Sequence, residues 1–106
     1  MSASYSDIRR YSIEPEVLSQ ATVEIIRDLG WKVVYQSDYN LIAEAQTGLK
    51  DEDDIVTVHI QEIGSVLITS ENRRQYYDYG RNQKRVMDFL EQMDNRMIKK
   101  EAASIS

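Results

Sequence analysis

Basic and tyrosine side chains gather in residues 71–85, around the start of a predicted helix. This stretch holds five of the 13 Lys and Arg residues and three of the 7 Tyr residues, against only two acids. A helix start attracts anions because its backbone N–H groups point outward and its dipole is positive there. Tyr and Arg are also enriched at protein-binding hot spots. The candidate contact residues are therefore Arg73, Arg74, Tyr76, Tyr77 and Arg81.

The same stretch also has a purely structural interpretation. Asp78 can cap the helix by accepting backbone N–H bonds, and Gly80 permits a positive φ or close packing. Tyr76 and Tyr79 can cover the end of a hydrophobic core. Both interpretations stay open at this point.

Other chemistry-bearing residues give weaker signals. His59 is the only histidine and has no marked nucleophile or metal-ligating companion, so we expect a surface histidine. The acidic residues 51–54 lack the alternating spacing of a calcium loop, and we expect a solvated loop. The chain has no cysteine. We therefore predict no catalytic residues, no metal site and no cofactor.

Composition restricts the class of protein and its partners. The chain has 106 residues, 42% of them hydrophobic, which suits one globular domain. A net charge of −5 disfavours nucleic acid as a partner. No apolar run approaches the roughly 20 residues that a membrane span needs, so we expect no membrane insertion. A cytoplasmic protein is our expectation, with the soluble part of a larger membrane-associated protein as the alternative.

Two amphipathic helices are expected, one near each end. Pro15 suits a first helical position, and Gly30 suits a C-terminal stop, so the first helix spans about residues 15–29. The last helix starts near Asp78 or Tyr79. The apolar stripes are Leu18, Ala21, Ile25 and Leu29 in the first helix and Val86, Phe89, Leu90, Met93 and Met97 in the last.

Four strands are expected between the helices, over residues 31–36, 41–47, 55–63 and 65–70. Their side chains alternate between apolar and polar types, and short turns connect them. The prediction is an α+β two-layer sandwich: a four-stranded antiparallel meander flanked by an N-terminal and a C-terminal helix, α-β-β-β-β-α. Residues 1–12 are expected to be a flexible N-terminal arm, residues 13–100 a single α+β domain, and residues 101–106 a frayed tail.

Short motifs in this order resemble a bacterial domain family of unknown function. They are Leu29-Gly30-Trp31, Leu41-Ile42-Ala43-Glu44-Ala45, Asp54-Ile55-Val56-Thr57-Val58, and Asp78-Tyr79-Gly80-Arg81-Asn82 followed by Arg85 and Phe89-Leu90. The resemblance covers about residues 15–95 and implies an α-β-β-β-β-α fold. It implies no activity and no catalytic residue.

The sequence thus favours a non-catalytic binding or accessory module whose partner is another protein or a second copy of the chain. One alternative is a small acidic chaperone-like dimer, which a stable dimer with an apolar groove would support. Another is an enzyme or anion-binding domain with its site near the start of the last helix, which a deep polar pocket would support.

Overall fold

The structure, a computed structural model, describes residues 4–46, 53–72 and 80–105, the last six of these by their backbone alone. The described residues form five strands and two helices. In chain order the elements are β1 (Ser4–Arg10), α1 (Pro15–Asp28), β2 (Lys32–Gln36), β3 (Asn40–Ala45), β4 (Asp54–Ile60), β5 (Ser65–Asn72) and α2 (Arg81–Ile105).

All five strands belong to one antiparallel sheet in the order β1-β5-β4-β3-β2. The α+β class and the antiparallel meander of β2 to β5 are confirmed. The expected strand number is wrong, because β1 adds a fifth strand beside β5 and the element order becomes β-α-β-β-β-β-α. This strand lies within residues 1–12, which the sequence predicted as an arm.

Both helices cover the same face of the sheet. Alternate residues of β3, β4 and β5 point into the core, as the alternation of apolar side chains predicted. Phe89 of α2 and Leu18 of α1 are fully buried against them. The inward residues of the sheet are Leu41, Ala43, Ala45, Val56, Val58, Ile60, Val66 and Ile68.

Ion pairs and hydrogen bonds join the elements at the surface of the helical layer. Arg96 of α2 binds Glu24 through its Nη1, at 2.8 Å, and Asp28 through its Nη2, both on α1. Within α1, the Thr22 hydroxyl donates to the Leu18 carbonyl oxygen at 2.8 Å. The opposite face of the sheet, which we call the open face, has no helix of the described residues against it.

Candidate functional site

A buried polar cluster joins the start of α2 to the neighbouring ends of β4 and β5. Its centre is Asp54, the first residue of β4, whose side chain has no solvent exposure. Arg81 donates hydrogen bonds to both carboxylate oxygens, from Nε to Oδ2 at 2.7 Å and from Nη2 to Oδ1 at 3.1 Å. Arg85 also donates to Oδ2 through Nη1. Such charge-assisted bonds are among the strongest in proteins.

Further side chains surround Arg85, namely Ser70, Asn82 and Trp31. The Ser70 hydroxyl donates to Oδ1 of Asn82 at 2.7 Å, and both residues are fully buried. The guanidinium carbon of Arg85 lies 6.0 Å from the centroid of the Trp31 ring, within the range of a cation–π contact. Arg85 is therefore fixed both by a carboxylate and by an aromatic ring.

Local structure explains why these side chains converge. Asn82 and Arg85 are three positions apart on α2 and so lie on one face of the helix. The first backbone bond of this helical turn runs from the Lys84 N–H to the Gly80 carbonyl oxygen, at 3.0 Å. On the sheet, the pairing of β4 with β5 brings Asp54 and Ser70 to the same end. The cluster thus depends on three consecutive elements, β4, β5 and α2, whose contributing side chains are up to 31 residues apart in sequence.

The cluster has little capacity for catalysis. Every buried side-chain nitrogen and oxygen atom in the described part of the chain has a hydrogen-bond partner, and Asp54 is neutralised by two guanidinium groups. A general base would need a reachable proton and a substrate beside it. Among residues 4–46, 53–72 and 80–99, no three His, Asp or Glu side chains are grouped as metal ligands. The arrangement is suited to anchoring α2.

The structure describes only one residue of the predicted contact surface and does not test that surface. Arg73, Arg74, Tyr76 and Tyr77 lie outside the described residues, as does Asp78 with its proposed cap. Arg81 lies at the first position of α2 and binds Asp54. The expectation of a contact surface at these residues therefore stays a prediction.

Two other sequence expectations can be compared with the structure directly. His59 lies on the open face, and its Nδ1 is 2.7 Å from Oδ1 of Asn40. Asp54 was expected in a solvated acidic loop, and this is wrong because it begins β4 and is buried by two arginines. Sequence reasoning missed Asp54 as a cluster residue. Trp31, Asp54, Asn82 and Arg85 all lie in the motifs quoted for the family resemblance, but those motifs do not indicate that the four side chains meet.

A second polar cluster links β1 to α2. The Tyr11 hydroxyl donates to Oδ1 of Asp94 at 2.8 Å, and Arg9 binds Oδ2 of the same carboxylate. Burial raises the pKa of Tyr11 far above its ordinary value, and the bond to Asp94 and the charge of that carboxylate raise this pKa further. The tyrosine is therefore a hydrogen-bond donor and stays neutral at physiological pH.

Replacing Tyr11 with phenylalanine should lower the unfolding free energy by about 1–2 kcal/mol near neutral pH, since a bond to a carboxylate is lost. Above about pH 10 the unfolded chain releases the Tyr11 proton while the folded chain keeps it. Titration of Tyr11 then lowers the unfolding free energy of the wild type by about 1.4 kcal/mol per pH unit. The Tyr11→Phe variant has no such group and does not lose stability in this way. Urea unfolding at several alkaline pH values should show the gap between the two proteins narrowing. A gap independent of pH would contradict the assignment.

The open face carries more large apolar side chains than a solvated sheet face needs. Tyr35 of β2 is 53% exposed and lies opposite Ile42. Ile55 and Leu67 are half-buried on the same face. Charges on this face balance, with Arg10 and Lys32 against Glu44 and Glu71, whereas the whole chain carries −5.

Two grooves on the helical side have linings that are partly polar and partly apolar. A groove of about 650 Å³ between α1 and α2 is lined by side chains that include Gln20, Gln92 and Asn95. A smaller groove of about 300 Å³ lies between β1 and α2, beside Arg9, Asp94 and Ile98. In the part of the chain that the structure describes, no helix is both long and apolar enough to cross a membrane.

Comparison with known proteins gives a family and no activity. No curated protein matches the chain. A family model described as "Protein of unknown function (DUF1499)" matches residues 2–93, which include β1 to β5 and the first half of α2 with all residues of the Asp54 cluster; the match ends one residue before Asp94. The resemblance to a family of unknown function is thereby confirmed. The chain belongs to the DUF1499 family of proteins of unknown function.

Proposed function

We propose that this domain is a non-catalytic protein-binding module that contacts its partner through the open face of the sheet. The observation that supports the proposal is the set of apolar side chains Tyr35, Ile42, Ile55 and Leu67 on a face that no described helix covers. Apolar side chains on a face without a covering layer often mark an interaction site.

The charge of the open face favours a protein over other partners. Arg10 and Lys32 balance Glu44 and Glu71, so the face has no net charge to attract a phosphate backbone or an anionic membrane. Thr57 and Thr69 lie opposite each other at its centre and supply short hydroxyl groups between the apolar ones. A mixed, neutral surface with an aromatic side chain is typical of the contact area in protein complexes.

The anion-binding and enzyme alternatives receive less support from the described residues. Arg81 and Arg85, the two guanidinium groups at the start of α2, both bind the buried carboxylate of Asp54. They therefore supply the counter-charge of a residue of the chain itself. A binding function through the open face needs no such group.

Site-specific photo-cross-linking tests the proposal in cells that make the protein. A photoreactive amino acid replacing Tyr35 should form adducts with a specific protein, and the same group replacing Lys84, whose side chain is 77% exposed on α2, should not. Adding Ile42→Lys should reduce the Tyr35 adducts at least tenfold, because a charge enters the apolar patch. Lys can extend its ammonium group to solvent, so the fold should survive.

Three results would contradict the binding face. One is equal adduct formation from Tyr35 and Lys84, which would indicate random collisions. Another is an absence of adducts from Tyr35 in both the soluble and the membrane fractions. The third is an adduct that persists unchanged in the Ile42→Lys background while circular dichroism shows a retained fold.

A further inference from the structure

The two edges of the sheet differ in how well they could pair with another strand. β2 forms one edge, and its ladder with β3 is interrupted between Val33 and Tyr35. Such irregularities are among the devices that protect edge strands from pairing. β1 forms the other edge with seven consecutive pairs to β5, from Ser4↔Glu71 to Arg10↔Ser65, and contains no proline. The regular edge is therefore β1.

Backbone groups near the middle of β1 point away from the sheet. The Tyr11 N–H donates to the Gly64 carbonyl oxygen on the β5 side, at 2.8 Å. Because the direction of backbone groups alternates along an antiparallel strand, the N–H of Ile8 points to the outer side. There it donates to Oδ1 of the neighbouring Asp7 at 2.8 Å. A side-chain oxygen thus occupies the position that the carbonyl of an adjacent strand would take.

The sequence of β1 is complementary to itself in one antiparallel register. A two-fold axis at Ile8 places this residue opposite Ile8 of a second copy. It also places Asp7 of each copy opposite Arg9 of the other, so the dimer contains two such pairs. Opposite charges directly across a strand pair are stabilising, and like charges are destabilising. An axis at Asp7 would oppose two carboxylates, and an axis at Arg9 would oppose two guanidinium groups. The Ile8 register is therefore the favoured one.

The position of α2 suits the same arrangement. α2 contacts both β1 and β5. An axis above the space between these two strands lies about half a strand spacing inside β1. With strands about 4.8 Å apart, pairing β1 with β1 of a second copy places the two α2 axes about 10 Å apart. Packed helices are typically 8–10 Å apart. The helices can therefore meet without a shift of α2 on the sheet, and only the Asp7 carboxylate must leave the Ile8 N–H for the strands to pair.

The flank of α2 on the β1 side carries exposed apolar groups. Asp94, which binds Arg9 and Tyr11 of the β1 segment, identifies this flank. Met87 lies seven positions before Asp94, and Ile98 lies four positions after it. At these spacings all three residues are on the same side of the helix. Their exposed fractions are 42% and 63%, and that of Ile8 is 52%. Pairing through β1 would cover all three apolar groups.

The available area is sufficient for a reversible dimer. A seven-residue strand edge is about 24 Å long, and a sheet with one helical layer is about 20 Å thick. Two copies together would bury about 1,000 Å², at the lower limit of specific interfaces. We therefore expect a dissociation constant on the order of micromolar.

We propose that this chain forms a homodimer by antiparallel pairing of β1 with β1 of a second copy, giving a continuous ten-stranded sheet with the two α2 helices side by side. The interface lies at the β1 edge, whereas Tyr35 of the proposed binding face lies on the opposite edge of the sheet. The dimer goes beyond the proposed function and does not rest on it.

Sedimentation equilibrium of the purified chain tests the dimer, with the variant Ile8→Pro as the main probe. Proline removes the outward N–H of Ile8 without removing a bond to β5, and edge strands tolerate proline at such positions. We expect the wild type to dimerise with concentration and Ile8→Pro to stay monomeric. Ile8→Val keeps the N–H, and Val34→Lys changes the other edge, so both controls should dimerise like the wild type.

A second variant, Ile98→Glu, keeps the test decisive if Ile8→Pro does not fold. Ile98 is 63% exposed, so the fold should be retained, while the dissociation constant should rise at least tenfold as a charge enters the helix contact. A wild type that remains monomeric well above micromolar concentration overturns the proposal. So does a dimer that persists in folded Ile8→Pro, or that is unchanged by Ile98→Glu. These results leave cross-linking from Tyr35 unaffected, so failure of the dimer and failure of the binding face are distinguishable.

Discussion

Replacing Asp54 with alanine should lower the unfolding free energy by about 3–5 kcal/mol, because two guanidinium groups then lose their shared carboxylate. Arg85 is only 9% exposed and Arg81 28% exposed, so water compensates for the missing charge only in part. The effect comes mainly from the uncompensated charges that remain. It is therefore larger than the net contribution of the intact ion pairs to stability.

The order of effects within the cluster provides a sharper test than one variant alone. Asp54→Ala should be the most damaging change, followed by Arg85→Ala and then Arg81→Ala. Arg85 ranks above Arg81 because it is more buried and also loses its contact with the Trp31 ring. Denaturant unfolding of the three variants, monitored by circular dichroism, measures this order.

A surface ion pair on the same helix serves as the matched control. Nζ of Lys84 lies 2.9 Å from Oδ2 of Asp88, four positions further along the helix. The two side chains are 77% and 42% exposed. Asp88→Ala should change the unfolding free energy by at most about 0.5 kcal/mol. If Asp54→Ala were as mild as Asp88→Ala, solvent would have to reach the cluster freely, and α2 would need another anchor.

The elements that carry a periodic apolar pattern were predictable from the sequence. Strands β3 to β5 alternate between core and open-face residues. Both helices bury the stripes that their spacing indicates, except that Leu29 follows the end of α1 and is only partly buried. Pro15 begins α1 as its fixed φ and missing N–H suggest. In these segments local propensity and burial agree, so the sequence alone is informative.

β1 could not be predicted because two of its three inward positions carry charged side chains. Tyr5, Asp7 and Arg9 point toward the helical layer, while Ile8 points away from it. Arg9 is acceptable there because Asp94 of α2 binds it, 85 residues further along the chain. The sequence of β1 therefore lacks the apolar alternation that identifies a strand. The ion pair that makes Arg9 acceptable at an inward position is visible only in the folded chain.

The burial of Asp54 was hidden for a similar reason. In sequence it ends an acidic run, and nothing in the sequence distinguishes it from the other carboxylates of that run. Its partners lie 27 and 31 residues away, and only the docking of α2 on the sheet brings them to it. Charge patterning along the chain shows which charges are close in sequence, whereas burial depends on charges that become close in space.

Gly64→Ala should be the other severely destabilising substitution, at about 2–5 kcal/mol. Gly64 turns the chain between β4 and β5 with φ +86°, a conformation that costs an alanine about 1–2 kcal/mol. An added Cβ would also lie 2.9 Å from both the backbone nitrogen and the carbonyl oxygen of Ile13. Either the turn or the connection between β1 and α1 must shift.

The backbone contact makes this substitution different from one at an ordinary left-handed glycine. The carbonyl oxygen of Gly64 accepts the Tyr11 N–H at 2.8 Å, so displacement of the turn also weakens the end of the β1–β5 ladder. Backbone atoms cannot rotate aside as the end of a flexible side chain can. The overlap therefore adds about 1–3 kcal/mol to the conformational cost.

Gly30→Ala separates the two contributions. Gly30 has a similar φ of +78°, and a Cβ there would meet no atom within 4 Å. It should cost only the conformational term, about 1–2 kcal/mol, and the difference between the two variants measures the contact with Ile13. Urea unfolding of both proteins under identical conditions provides this comparison. Equal losses of unfolding free energy at Gly64 and Gly30 would mean that the β1–α1 connection moves away from the added Cβ at no cost. β1 would then be held only by its ladder with β5 and by the cluster of Arg9, Tyr11 and Asp94.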